Sequence, residues 1–415
     1  MKKFIHVAAF GVLSFLLGAF AGVVVWAVLK LMELGIESLW EWIPAALELE
    51  ASLPYYLVIC IAGGVLIGII QKKYGLLPDT FEQVLGRIKK EGKYPYDKLP
   101  ILMVAALLPL IFGGTLGPEA GLSGIIAALC YFVGDRLHYK KEQVSALMET
   151  GVAATLGVIF GTPLFGLANN IEPDYREEKY KDKFISKQSR IYVYVMGVAG
   201  SFLTFKLMVY KLGGGMGIPR FERVKGFGIE EWMWIIPLIL IGVVLGIFYL
   251  ICFQLTKKLA SLFQGRTILR CAVAGAGVAI AGFFFPMSMF SGEHDTIVLM
   301  GTWETMSITL LIVAAFVKLF MVNFCVNLGW RGGHIFPTIF AGVTVGYACA
   351  ILLGMDGTYA VALVSGSIYA FIMKKPITVI AILLIFFPLT YSVPLVVAVL
   401  AASKIPQPKA LSHVG

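Results

Sequence analysis

What this chain has least of is charge. Only 14% of its 415 residues are Asp, Glu, Lys or Arg, while 59% are hydrophobic. Water-soluble globular chains carry about 25% charged residues, so a soluble fold is excluded. Histidine is scarce as well, at five residues, and no Cys and His stand at the spacing of a metal site. The six cysteines, Cys60, Cys130, Cys252, Cys271, Cys325 and Cys349, fall singly in apolar runs. They read as small buried hydrophobes, neither disulfide partners nor metal ligands. The cluster Gly213-Gly214-Gly215-Met216-Gly217 lacks the Lys-Ser/Thr that would make it a phosphate cradle. It reads as a flexible loop, and no motif calls for a cofactor.

What the chain has in abundance is long apolar runs. They lie near 4–29, 55–70, 99–112, 122–134, 143–170, 191–210, 232–255, 268–290, 306–328, 335–353, 358–373 and 376–402. At roughly 20 residues per span, these imply about ten or more membrane segments. Several are too short or too interrupted to cross alone, which favours tilted and re-entrant helices. The first run follows Met1-Lys2-Lys3 and is much longer than a signal-peptide core, so it reads as a retained helix. The net charge of +9 is gathered in short loops, among them Lys72 to Lys98, Lys179 to Arg190 and Lys257 to Arg270. That pattern excludes a nucleic-acid role and places those loops and the N-terminus in the cytoplasm of a cell (inner) membrane protein. The 211–230 segment, with Lys211, Arg220, Arg223 and Lys225, is the exception. The chain ends shortly after its last apolar run, which leaves no room for a C-terminal regulatory domain.

Two stretches break this apolar pattern in the same way. The first is Gly113-Gly114-Thr115-Leu116-Gly117-Pro118-Glu119-Ala120-Gly121, between the runs 99–112 and 122–134. The second is Gly329-Trp330-Arg331-Gly332-Gly333-His334-Ile335-Phe336-Pro337, between 306–328 and 335–353. Glycine supplies the unusual backbone angles of a break, and Pro118 suits the first turn of a restarted helix. A break at membrane depth is tolerated only where protein or a polar cavity surrounds it. The restarted helix turns its N–H groups and positive dipole end toward the break, an arrangement suited to an anion. Glu119 stands among those donors, where an ionisable side chain is expensive and usually functional. A second proline step follows each break, Gly161-Thr162-Pro163-Leu164 and Lys375-Pro376-Ile377-Thr378. Paired broken helices point to internal symmetry and a midplane site.

These residues resemble the CLC family of chloride channels and proton/chloride antiporters. Gly117-Pro118-Glu119-Ala120-Gly121 stands where that family has Gly-Arg/Lys-Glu-Gly-Pro, with the glutamate in register. Gly161-Thr162-Pro163-Leu164-Phe165-Gly166 through Ile171-Glu172 resembles its Asn-Ala-Pro-Leu-Ala-Gly…Ile-Glu-Glu. Gly332-Gly333-His334-Ile335-Phe336-Pro337 with Gly342-Val343-Thr344-Val345-Gly346 resembles Gly-Gly-Ile-Phe-Ala-Pro and Gly-Thr-Val-Leu-Gly. Pro376-Ile377-Thr378 and Thr390-Tyr391-Ser392 resemble the last helices and their ion-coordinating tyrosine.

The resemblance implies an all-α polytopic homodimer in the lipid bilayer, each chain built of two inverted halves, 1–190 and 191–415. It implies one pathway per subunit for chloride or another small monovalent anion, coupled to protons or passive as a channel. By position, Glu119 matches the gating glutamate, the amides near Gly117, Pro118 and Ala120 and those of His334 and Ile335 match anion ligands, and Tyr391 matches the inner hydroxyl. Two departures stand out. With Pro78 as the anchor of its segment, Gly75 occupies the place of an anion-binding serine. The inner proton-relay position is Pro173, leaving Glu172 one residue away.

Other readings apply to single residues. Glu172 also reads as a headgroup-level charge, and His334 as a packing partner of Trp330. Glu293-His294-Asp295 places three metal-capable side chains in a row, but adjacent residues rarely converge on one ion, and the stretch reads as a loop. Gly121-Leu122-Ser123-Gly124 suggests a different class, an intramembrane serine protease with Ser123 as nucleophile. That chemistry requires a histidine facing Ser123.

Overall fold

The computed structural model describes residues 2–49, 52–137, 141–162, 187–215, 217, 219–222, 228–408 and 410–411. Its main helices are α1 Lys2–Glu37, α2 Leu53–Tyr74, α3 Phe81–Glu91, α4 Leu99–Ile111, α5 Glu119–Arg136, α6 Lys141–Ile159, α7 Lys187–Leu212 and α8 Ile235–Ser261. There follow α9 Thr267–Phe284, α10 Glu293–Thr302, α11 Ile308–Leu328, α12 Ile335–Leu353, α13 Gly357–Met373, α14 Pro376–Leu383 and α15 Ser392–Lys404. Among the described residues there is no strand, only one isolated antiparallel bridge, Gly117 with Gly333. The sequence-based expectation of an all-helical polytopic chain is met.

Local sequence sets the helix ends. In α3, the Thr80 side chain accepts from the Gln83 N–H while Gln83 accepts from the Thr80 N–H, a reciprocal capping box. The helix stops at Gly92 in the left-handed region. The Asp356 carboxylate caps α13 by accepting from the Tyr359 N–H at 2.8 Å. Glu293-His294-Asp295, read above as a loop, instead opens α10 after the left-handed Gly292. The correction has a physical reason: acidic side chains are favoured in a first helical turn, where they face the positive dipole end.

Seven described helical spans are long and apolar enough to cross a membrane: Ala8–Ala46, Leu53–Tyr74, Ile191–Leu212, Glu230–Ser261, Thr267–Phe284, Ile308–Leu328 and Ile335–Leu353. Four shorter apolar helices accompany them, Leu99–Ile111, Val144–Ile159, Gly357–Met373 and Leu389–Lys404. Gly and Pro interruptions cut apolar runs such as Leu99–Ile111 and Gly357–Met373 below crossing length, and part of the run expected at 143–170 lies outside the described residues.

The chain forms two compact units that interleave along the sequence. One comprises Met1–Gly35, Leu77–Leu107 and Pro118–Met216, the other Ile36–Leu76, Leu108–Gly117 and Gly217–Gly415. In the first unit, α1 and α7 meet through glycine. A Cβ on Gly18 would lie 1.9 Å from the Gly197 carbonyl oxygen, and one on Gly200 would lie 2.2 Å from that of Phe15. In the second, α2 and α9 meet likewise, with Gly275 facing the Cys60 carbonyl at 2.1 Å and Gly64 facing that of Cys271 at 2.3 Å. Small residues let helix backbones approach closely where lipid offers no hydrophobic drive.

Two glycines should therefore respond oppositely to one methyl group. Gly86 in α3 has open space around its Cβ position. Gly86→Ala is expected to stabilise the protein by about 0.5–1 kcal/mol through helix propensity. Gly275→Ala is expected to destabilise it by about 1–3 kcal/mol, because the backbone of α2 must move. Thermal unfolding of the purified protein in detergent checks both signs.

Candidate functional site

The first break starts where α4 ends. The Gly114 N–H donates to the Pro109 carbonyl at 2.8 Å, and the Leu116 N–H to that of Gly114 at 2.8 Å. Gly113 sits at φ 88°, a conformation open to glycine and costly for other residues. A Cβ on Gly114 would lie 2.5 Å from the Pro109 oxygen and 2.9 Å from the Trp330 ring. The chain here has no room for a side chain.

The second break starts where α11 ends. Gly329 adopts φ 109°, and the Trp330 N–H donates to the Cys325 carbonyl at 2.8 Å, closing the helix with a Schellman-type turn. The Trp330 ring is fully buried, and its Nε1–H donates to the Cys271 carbonyl of α9 at 2.9 Å. The Gln71 side chain of α2 donates to the Gly329 carbonyl.

The two breaks are joined to each other. The Gly117 N–H donates to the Gly333 carbonyl at 2.9 Å, and the Gly333 N–H to the Gly117 carbonyl at 2.7 Å. Four backbone groups that neither helix can satisfy are thus satisfied reciprocally. Directly after Gly333, His334 stands at the N-cap of α12, whose first residue is Ile335. The His334 carbonyl accepts from both the N–H and the hydroxyl of Thr338, at 3.1 and 2.7 Å. At any helix start the first N–H groups point away from intrahelical acceptors, toward whatever precedes the helix. The His334 ring is half-buried, and its aromatic neighbour is Tyr249 at 6.1 Å between centroids. Trp330, the other packing partner read for His334 from the sequence, turns its indole N–H toward α9.

In the first unit, Pro118 is the N-cap residue of α5, and Glu119 is the first helical residue and fully buried. Ala120 and Gly121 follow on the same buried turn, where a Cβ on Gly121 would lie 2.5 Å from that of Ala106. The Ser123 hydroxyl donates to the Glu119 carbonyl at 2.6 Å. That bond holds the hydroxyl proton within the helix, and no described histidine is bonded to Ser123. Tyr94 packs against Gly124, and its hydroxyl donates to Asp79 at 3.1 Å. The same Asp79 oxygen meets the Arg87 guanidinium at 3.2 Å. Burial and then the Asp79 carboxylate push the Tyr94 hydroxyl above its usual range, which keeps it a donor.

Tyr391 is fully buried at the end of a short turn leading into α15, with its ring 6.5 Å from that of Tyr359. Gly75 caps α2 at φ 90°, exposed, with nothing within 4 Å of its Cβ position. Glu172 and Pro173 lie outside the described residues. Sequence reasoning passed over Thr115, whose hydroxyl donates to the Ser288 carbonyl at 2.6 Å, and Lys318, fully buried in α11. A lone charge within an apolar run was the available signal for Lys318.

Known proteins resemble this chain over most of its length. Residues 63–407 match the family model described as voltage gated chloride channel. The YfeO protein of Escherichia fergusonii, named for ion transport, is 25% identical over 343 residues, covering 80% of this chain and 76% of its own. Its counterpart in Escherichia coli K12 is 24% identical over the same shares. Among solved structures, a slow cyanobacterial Cl−/H+ antiporter superposes with a TM-score of 0.80 at 18% identity, over 95% of this chain and 93% of that one. A CLC-type fluoride/proton antiporter gives 0.77 at 17% identity, over 97% and 96%. These likenesses establish the fold.

The crowding at the first break makes a direct expectation. Gly114→Ala drives a methyl group into the Pro109 carbonyl and the Trp330 ring, and should destabilise the protein by about 1–3 kcal/mol. A lowered thermal midpoint in detergent, relative to Gly86→Ala, is the measurement.

Proposed function

The chain belongs to the voltage gated chloride channel (CLC) family, and on that premise we propose that it exchanges chloride or a similar small monovalent anion for protons across the membrane. In this reading Glu119 is the protonatable gate, and the amides of His334 and Ile335 hold the anion. The observation that carries it is a fully buried carboxylate at the first residue of α5, next to a glycine-rich break. A membrane protein keeps such a group buried where it acts on an ion or a proton. A carboxylate competes with an anion for N–H donors, and its protonated form does not. Helix-start amides favour negative charge without a full positive charge, which permits release as well as binding. The two solved antiporters named above share the fold and support exchange over passive flow.

The Gly117 N–H is taken by the Gly333 carbonyl and Pro118 carries no N–H, so among the first-break candidates only the amide of Ala120, with the Tyr391 hydroxyl, is assigned a secondary role in the same path. Glu172 is the reserve proton relay, with Pro173 unable to titrate. Gly75 leaves its position without a hydroxyl donor, which widens the choice among monovalent anions. The chain is further proposed to act as a homodimer in the cell (inner) membrane with a cytoplasmic N-terminus. The runner-up is a passive pH- or voltage-gated channel, favoured by the proline at 173.

Two outcomes are expected in proteoliposomes. Glu119→Gln should carry anion with a flat pH profile where the wild type varies with pH. An unchanged profile in folded Glu119→Gln protein removes Glu119 from the gate. For the wild type, an imposed chloride gradient should drive protons uphill, with fluoride and nitrate run alongside. Anion flux without uphill proton movement would make the protein a channel.

A further inference from the structure

Lys318 is the one fully buried lysine among the described residues, and it lies in the middle of the membrane-length helix α11. An ammonium in such a place is costly unless all its hydrogens are engaged. Its Nζ donates to the Met287 carbonyl at 2.8 Å and to the Met289 carbonyl at 2.6 Å. Its remaining side faces the Phe340 ring of α12, 4.8 Å from the centroid. The start of α10 lies beside it, where a Cβ on Gly292 would come within 3.1 Å of the Lys318 Cε.

The loop that Lys318 grips is the one that seats the first break. Between the two gripped carbonyls lies that of Ser288, which accepts the Thr115 hydroxyl at 2.6 Å. Next along, the Phe290 N–H donates to the Gly113 carbonyl at 3.3 Å. The Met289 side chain fills the space where a Cβ on Gly113 would lie, with Cε 2.2 Å from that point. Two residues after Thr115 stands Gly117, bonded on both sides to Gly333. Every one of these contacts lies within the second unit.

The geometry points to Lys318 as a positioning residue for anion selection: it holds the 287–290 loop, the loop holds Gly113 and Thr115, and these hold the Gly117–Gly333 bridge from which α12 starts. The role rests on the anion-transport reading proposed above. Charge-assisted bonds are stronger and shorter than neutral ones, so a lysine fixes this loop more firmly than an amide or hydroxyl could. Two carbonyls held by one charge also fix the orientation of the peptide between them.

The test is amide hydrogen exchange of the purified full chain in parallel with anion flux. Lys318→Met keeps the side-chain bulk and removes every donor. Exchange at 286–290 and 113–117 is expected to rise about tenfold or more, as loss of charged hydrogen bonds implies, with α1 and α7 unchanged. The chloride-to-nitrate flux ratio is expected to shift, and Lys318→Arg to restore most of both. Thr115→Val, which removes one neutral bond to the same loop, serves if Lys318→Met does not fold, and should show the same local rise. Unchanged exchange in both segments overturns the role. Raised exchange with an unchanged flux ratio also overturns it, because the lysine would then be structural only. A wild type that moves no anion sinks the transport reading instead, a result separate from the exchange data.

Discussion

The structure turns on one pair of hydrogen bonds between backbones, Gly117 with Gly333 in both directions. A helix interrupted at membrane depth leaves N–H and C=O groups that water cannot reach, and each orphan costs free energy comparable to a lost hydrogen bond. Two interruptions can satisfy one another, provided that both strands come within bridging distance. The glycines at 113, 114, 329 and 332 meet that condition. A Cβ on Gly332 would lie 2.7 Å from that of Leu116, so even alanine would press on the opposing strand.

Around this bridge, polar side chains act mainly on backbone carbonyls. Trp330 donates to Cys271, Gln71 to Gly329, Thr115 to Ser288, and Lys318 to Met287 and Met289. Most of these carbonyls lie at or beside a helix end, where intrahelical partners run out. The irregular segments are thereby held by side chains from regular ones. Such a scaffold suits a path in which ions meet preset amides, since little reorganisation is needed as an ion binds.

Much of the fold was legible in the chain. Low charge and long apolar runs demanded a polytopic helical protein, and the two Gly-rich breaks marked where helices stop and restart. Pro118, Glu119, His334 and Ile335 stand at helix starts within a residue of where composition put them. These are local matters: a helix ends where its own residues cannot continue it, and a cap or a proline says so without reference to distant chain. Tertiary structure decided the rest. That Gly117 pairs with Gly333 across more than two hundred positions follows from packing of whole helices, which no periodicity encodes. The partners of Lys318 belong to the same class, because a buried charge is recognisable in sequence while the carbonyls that neutralise it are not. Glu293-His294-Asp295 opens a helix after Gly292, and that this start lies beside Phe340 and Lys318 is a matter of tertiary placement. Spacing along the chain determines where hydrogen-bonding groups are left over, and only the folded arrangement determines which leftover groups meet.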